Sequence, residues 1–416
     1  MILTMLNFLT SEKTTVSNQS VCTGQPCSPS CLGSFGFAVG QYRAWIALVG
    51  TIMGLAVSHS AAQAASFTGL GFLPGGISSS AAGVSADGSV VVGSSDNQAF
   101  RWTQSDGLVG LGFLPGGNSS SAAGVSADGS VVVGESFAPF PPVPPYFVSY
   151  LQAFRWTEAG GMQSLAVGAS ANGVSADGSV VVGTYYPPKF NPQAIIWGGS
   201  LGGITYPYLS SSAHGVSADG SVVVGSATSV ISSITEAARW TQTGGLQVLG
   251  LLPGSSSSSA SGVSADGAVI VGESGDQAFV WNSTQGLQGL GFLPGSSFSS
   301  ASGVSADGSL IVGQSGGEAF LWSNIQGMQS LTDVLIAAGV SNLTGWGLTN
   351  ATAVSADGYT VVGYGSNPNG QTEAWIADLR NIQPIPTPAL LPGLIGVSLA
   401  TWRRRQQQSD ASREVG

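Results

Sequence analysis

Charge is scarce in this chain: 11 Lys and Arg and 21 Asp and Glu among 416 residues give a net charge of −10, and there are only two histidines. Between residues 65 and 381, eighteen acidic side chains meet five basic ones, Arg101, Arg155, Lys189, Arg239 and Arg380. That balance excludes nucleic acid as a partner, because phosphate contacts need positive charge. The three cysteines, Cys22, Cys27 and Cys31, all precede residue 65, and the histidines are His59 and His214. Such a set makes neither a disulfide framework nor a zinc site. No nucleophile has a recognisable partner either, so the sequence indicates no enzyme.

Repetition is what the chain has in excess. The segment Gly-Val-Ser-Ala-Asp-Gly, followed by an apolar run ending in Gly, recurs with its Asp at Asp87, Asp128, Asp177, Asp219, Asp266, Asp307 and Asp357, 41 to 50 residues apart; the last copy begins with Ala. In the unit from Ser78 to Gly112, Ala86-Asp87-Gly88 reads as a tight turn, because Asp bonds its own turn backbone and Gly accepts a positive φ. Val90 to Val92 form a β-branched strand, followed by strands at Ala99 to Trp102 and Leu108 to Leu111, with a turn at Asp106-Gly107. Four short strands per unit and this period predict an all-β, seven-bladed β-propeller of four-stranded blades. Trp156, Trp197, Trp240, Trp281, Trp322 and Trp375 are taken as equivalents of Trp102, one packing residue between blades in each unit.

Phe67 to Gly75 matches the last strand and exit loop of a unit, as in Leu111 to Gly116, whereas the final unit stops soon after Trp375. The N-terminal fragment is therefore expected to complete the last blade and close the ring. An open β-solenoid is the alternative, and it would need capped edges. Serine runs at Ser78 to Ser80, Ser119 to Ser121 and Ser255 to Ser259 read as loops between blades, with glycosylation or a sugar-binding rim as the functional alternative. Leu331, Val334, Leu335 and Ala338 have helical spacing ahead of Gly339, which predicts one short helix with Trp346 buried beneath it.

The ends direct export. Arg43, the apolar stretch Ala44 to Val57 and the small residues Ala62-Gln63-Ala64 make residues 1–64 a signal peptide with a long leader. Residues 65–381 are the propeller, 382–405 a sorting signal or membrane anchor, and 406–416 a cytoplasmic tail. The apolar run Ala389 to Trp402 has 14 residues, short of the roughly 20 of a stable spanning helix, and Arg403, Arg404 and Arg405 would hold its end in the cytoplasm. Pro386, Thr387, Pro388 and Ala389, the apolar run and the three arginines together resemble the bacterial PEP-CTERM sorting signals in the PTPA form typical of cyanobacteria. The resemblance implies an exosortase-type membrane enzyme as partner, transient membrane association, removal of the tail and delivery to the cell surface or matrix. A plain C-terminal anchor is the alternative.

The repeats also resemble the HAF family of bacterial extracellular repeat proteins over roughly residues 67 to 379. Its His-Ala-Phe signature stands here with Gln or Glu first, at Gln98 to Phe100, Gln152 to Phe154, Gln277 to Phe279 and Glu318 to Phe320. That family implies propellers with no assigned reaction.

Where the repetition breaks, binding residues are expected: Tyr146 and Tyr150 in the Pro-rich insertion, Tyr185, Tyr186 and Lys189, and Tyr206, Tyr208 and His214. Aromatics on loops of a rigid ring suit sugar rings or Pro-rich peptides. The seven repeated Asp residues are read as structural turns. One carboxylate per turn supports at most a weak structural calcium, and no other metal or cofactor is expected. The sequence thus points to an exported, surface-sorted, non-catalytic propeller that binds an extracellular polysaccharide or matrix protein. A structural envelope or biofilm component, and a polysaccharide hydrolase or lyase with carboxylates converging in the channel or a rim cleft, are the alternatives.

Overall fold

The computed structural model describes residues 65–138, 150–188, 190–198, 208–380 and 382. They form 27 strands and one short helix, gathered into seven antiparallel sheets that are the blades of a seven-bladed β-propeller. The first blade contains β2 (Ser79–Val84), β3 (Val90–Ser95), β4 (Gln98–Thr103) and β5 (Gly107–Gly110), side by side in that order from the innermost strand outward. Blades two to six (β6–β9, β10–β12, β13–β16, β17–β20 and β21–β24) span residues 119–167, 169–197, 208–250, 258–291 and 299–330. The third shows three strands, and the residues that follow them, 199–207, lie outside the described set.

The seventh blade joins the two ends of the repeat region. β1 (Ser66–Gly71) pairs antiparallel with β27 (Thr372–Asp378), which continues through β26 (Thr360–Ser366) to β25 (Gly347–Val354). Ser66 lies opposite Asp378 and Phe67 opposite Ala377, so the ring is closed and the solenoid alternative falls. A second closure runs through the backbone. Each Ala of the Ser-Ala-Asp-Gly turns donates its N–H to the carbonyl of the next: Ala86 to Ala127, then Ala176, Ala218, Ala265, Ala306 and Ala356, which returns to Ala86, all at 3.0–3.1 Å. Seven turns therefore form an unbroken hydrogen-bonded circle.

Each turn is built alike. In the first, Asp87 Oδ1 accepts from the Ser89 N–H at 3.0 Å and from the Ser85 and Ser89 hydroxyls at 2.7 Å, and Gly88 takes φ +76°. The buried Ser85 Oγ in turn accepts from Val90 N–H at 2.9 Å, so a short polar side chain settles a backbone donor that burial would otherwise strand. These bonds favour the ionised carboxylate. The Ser126 hydroxyl, then the backbone and side chain of Ser130, lower Asp128 from 3.8 to about 2, and the corresponding groups do the same for Asp177. Asp87, Asp219, Asp266 and Asp307 are lowered for the same reasons.

A depressed folded-state pKa contributes stability above the unfolded value and loses it as pH falls toward the folded one. The melting temperature should therefore hold steady down to about pH 4 and fall steeply between about pH 4 and pH 2, where these carboxylates protonate. Glu135, raised by burial, works weakly in the opposite sense. A melting temperature unchanged at pH 2 would contradict this assignment of the turns.

The core lies in seven seams between blades. The seam of blades one and two packs Val90, Val92 and Ala99 against Leu114, Ala122, Val132 and Phe154, and the other six repeat that pattern. Trp102, Trp156, Trp197, Trp240, Trp281 and Trp322 each join one seam, as the repeat implies. Trp375 does not share their position. It lies opposite Gly363 as Phe100 lies opposite Gly93, whereas Ala377 takes the place of Trp102. The closing strand has exchanged a Phe for a larger ring, which is fully buried 6.2 Å from Phe67.

The serine runs are loops only in part: Ser78 and Ser255 to Ser257 lie in the passages between blades, whereas the serines that follow them, and Ser119 to Ser121, belong to innermost strands. Ser79, Ser120, Ser258 and Ser299 are buried at the start of innermost strands. Ser79 Oγ donates to the Gly71 carbonyl at 2.6 Å and accepts from Ala374 N–H at 2.9 Å, and Ser120, Ser258 and Ser299 repeat the pair of bonds. Their hydroxyls staple one blade to the previous one, a task that an apolar side chain could not perform.

The predicted helix, α1 (Leu331–Ala337), follows the sixth blade. Ser330 caps it by accepting from Asp333 N–H at 3.2 Å, and Gly339 at φ +86° ends it. Leu331, Val334 and Leu335 are buried, and Trp346 is half-buried in the same cluster, edge-on to Phe67 at 5.0 Å.

Candidate functional site

Strand directions divide the ring into two faces. The Ser-Ala-Asp-Gly turns and the turns between third and fourth strands share one, here the turn face. The opposite loop face holds every connection from second to third strand and every passage between blades. Second-to-third connections are two residues long in blades one, five and six, but run over 139–149, 186–192 and 230–234 in blades two, three and four. The helix lies in a passage between blades, so among the described residues it shares the loop face with the long connections of blades three and four.

Large exposed apolar side chains collect there too. Ile77, Phe113, Phe292 and Phe298 stand in passages between blades; Tyr186, Phe190, Val230 and Ile231 stand in the long connections. Ile231 is 94% exposed and Phe190 79%. Among the described residues, the turn face shows only Ile325 and Tyr359 of this kind. Single exposed apolar residues need no explanation, but so unequal a distribution marks one face for contact.

Of the binding residues expected from sequence, Tyr186 is exposed on the loop face, and Tyr185 ends β11 (Val181–Tyr185) half-buried against the seam of blades two and three. Tyr150 and Tyr208 open β8 (Tyr150–Thr157) and β13 (Tyr208–Val216) at the loop-face end, paired with Ala138 and Ser229. Tyr146, Lys189 and Tyr206 lie outside the described residues, as do the sorting-signal positions Pro386 to Ala389 and Arg403 to Arg405.

His214 is not on a rim loop. It sits within β13, the innermost strand of blade four, where Nε2 lies 2.9 Å from Ser212 Oγ and Nδ1 lies 2.8 Å from the Ala260 carbonyl of blade five. Asn172 and Thr352, its counterparts in blades three and seven, likewise donate to the carbonyls of Ala213 and Ala81 in the next blade. His214 thus joins blades. Phe190, Val230, Ile231 and Ile77 were not singled out from sequence, although apolar residues inside segments of turn length are a readable signal against the usual polar chemistry of turns.

Two concavities complete the picture. The central channel, about 250 Å³, is walled by Gly83, Gly124, Gly173, Gly215, Gly262 and Gly303 with neighbouring Val and Ala, and none of its lining residues is charged. A groove of about 660 Å³ opens on the turn face at the closing seam, where Asp87, Asp128, Arg101, Trp102, Asp378 and Arg380 converge. Its carboxylates are already engaged. Asp378 receives Arg380 in a two-pronged pair at 2.8–3.0 Å, and Asp87 and Asp128 hold their turns. Asp87 and Asp128, held below the usual carboxylate range by their turn hydrogen bonds, are poorly matched to proton transfer near neutral pH. Among the described residues there is no cluster of three or more His, Cys, Asp or Glu, and no helix is long and apolar enough to cross a membrane.

Comparison of the sequence with family models and with curated proteins gives no match. Among solved structures, the chain is similar to a protein named for TolB from Agrobacterium tumefaciens, at 11% identity and a TM-score of 0.36, covering 72% of this chain and 90% of that one. It is also similar to an oligogalacturonate lyase from Vibrio parahaemolyticus, at 12% identity and a TM-score of 0.45, covering 75% and 93%.

Proposed function

We propose that this is an exported, surface-sorted propeller that binds an extracellular polymer of the cell envelope or matrix through its loop face, without catalysing a reaction on it. The observation that carries this reading is the unequal distribution of exposed apolar and aromatic side chains, with Tyr186 and Phe190 in the long connection of blade three and Ile231 in that of blade four. A rigid ring that presents such side chains on adjacent loops offers ring faces and apolar edges suited to sugars or extended peptide. Export and sorting are supported by the signal-like leader and by the Pro386 to Arg405 tail. The hydrolase or lyase alternative needs a carboxylate free to exchange protons, whereas those gathered in the seam groove are committed to turns and to Arg380.

The test is a glycan-array and matrix-extract screen with the exported protein. Saturable binding to one polymer class is expected. A protein that binds neither sugar nor matrix extract would be a structural envelope component instead.

A further inference from the structure

We infer that the membrane-attached form of this protein holds its turn face toward the bilayer and presents its loop face outward. The inference rests on the reading of Ala389 to Trp402 as a membrane segment. It starts from where the chain leaves the ring. β27 ends at Asp378, opposite Ser66, on the turn-face side of blade seven. Leu379 N–H then bonds the carbonyl of Tyr359 beside the last Ser-Ala-Asp-Gly turn, and Ile382 N–H bonds the Leu379 carbonyl while its side chain packs on the adjoining seam. The exit is thereby fixed to the turn face.

Only seven residue steps separate Ile382 from Ala389, a reach of at most about 25 Å even when fully extended. Blade strands of about six residues set the two faces roughly 20 Å apart. To lay the loop face on the bilayer, the tether would have to climb the side of blade seven and spend most of its length doing so. With the turn face inward it needs little. The acidic turns are compatible with being held near the membrane by a tether rather than adsorbed on it, since their carboxylates stay ionised at neutral pH. The face that carries Phe190 and Ile231 is then the one that meets the matrix.

Residues 65–416 contain no cysteine, which makes a site-specific test direct. In the full chain, Cys22, Cys27 and Cys31 are replaced by Ser, and one probe site is added: Ile325→Cys on the turn face, 89% exposed, or Ile231→Cys on the loop face. Each chain is produced in a host without a sorting transpeptidase, labelled with a donor fluorophore, and measured in right-side-out vesicles that contain headgroup-labelled acceptor lipid. Energy transfer from position 325 should exceed that from position 231 about twofold, as a displacement of roughly 20 Å implies. Equal or reversed transfer in the membrane-bound protein would overturn the orientation. Recovery of the chain wholly in the soluble fraction would instead overturn the membrane-segment reading, a separate result.

Discussion

Phe67→Ala should lower the unfolding free energy by about 3–5 kcal/mol, the usual cost of emptying a buried aromatic site. The ring of Phe67 is 3% exposed, stacked edge-on against Trp346 and lying beside Trp375, and its strand pairs the start of the repeats with their last strand. Other bonds depend on the same strand. Gly71 N–H donates to Glu373 Oε1 at 2.9 Å, the Asn342 side chain donates to the Phe67 carbonyl at 2.7 Å, and Ser79 reaches back to Gly71. A vacancy at Phe67 weakens all of them, because residues in one network lose stability together. Val109→Ala on the exposed outer strand of blade one is the control and should stay within about 0.5 kcal/mol. Urea midpoints of the two variants against the parent check this, and equal midpoints would mean that β1 does not close the ring.

Gly93→Ala should cost about 3 kcal/mol or more, at the upper end of what overpacking does. A Cβ at this position would lie 2.0 Å from the Ser80 carbonyl oxygen and 2.9 Å from Ala81 Cα, backbone atoms that cannot rotate away. The same approach recurs at Gly134, Gly183, Gly225, Gly272, Gly313 and Gly363, so the Gly that closes each apolar run lets the innermost strand pass close over its neighbour. Gly107→Ala makes the contrast. Gly107 has φ +67° and nothing within 4 Å, so Ala there meets only the left-handed backbone penalty of about 1–2 kcal/mol. Thermal melts of both variants separate close packing from backbone strain, and a Gly93→Ala loss no larger than that of Gly107→Ala would contradict the packing account.

Those two residues also show why so much of the fold was readable. Asp and Gly in a tight turn, and Gly after three β-branched residues, leave few backbone choices, and seven repetitions fix the spacing of the units. Closure was legible because Phe67 to Gly75 duplicates an internal outer strand. Residue type misled where register mattered. Trp375 was matched to Trp102 by its ring, but the pairing of β27 with Gly363 sets it two residues earlier, in the place of Phe100. Serine composition pointed to loops because hydroxyls are usually solvated, whereas Ser79 and Ser258 satisfy buried backbone groups across a seam. His214 broke the repeat and so drew notice, yet its two nitrogens are occupied within the blade wall. Tyr186 was singled out among the exposed loop-face residues, whereas Phe190, Ile231 and Ile77 were passed over although an apolar residue in a turn-length segment is itself a signal, because their order along the chain does not show which loops lie together. Only the strand directions show that Phe190, Ile231 and Ile77 share a face.

The most direct measurement is of binding to the matrix polymer found by the screen, comparing the parent with a loop-face variant, Phe190→Ser with Ile231→Ser, and a turn-face variant, Ile325→Ser. All three side chains are strongly exposed, so the folded ring should tolerate each change within about 0.5 kcal/mol. The account predicts at least about tenfold weaker binding for the loop-face variant, equivalent to about 1.4 kcal/mol, and parental affinity for the turn-face variant. Parental affinity in the loop-face variant, with binding lost from Ile325→Ser, would contradict it.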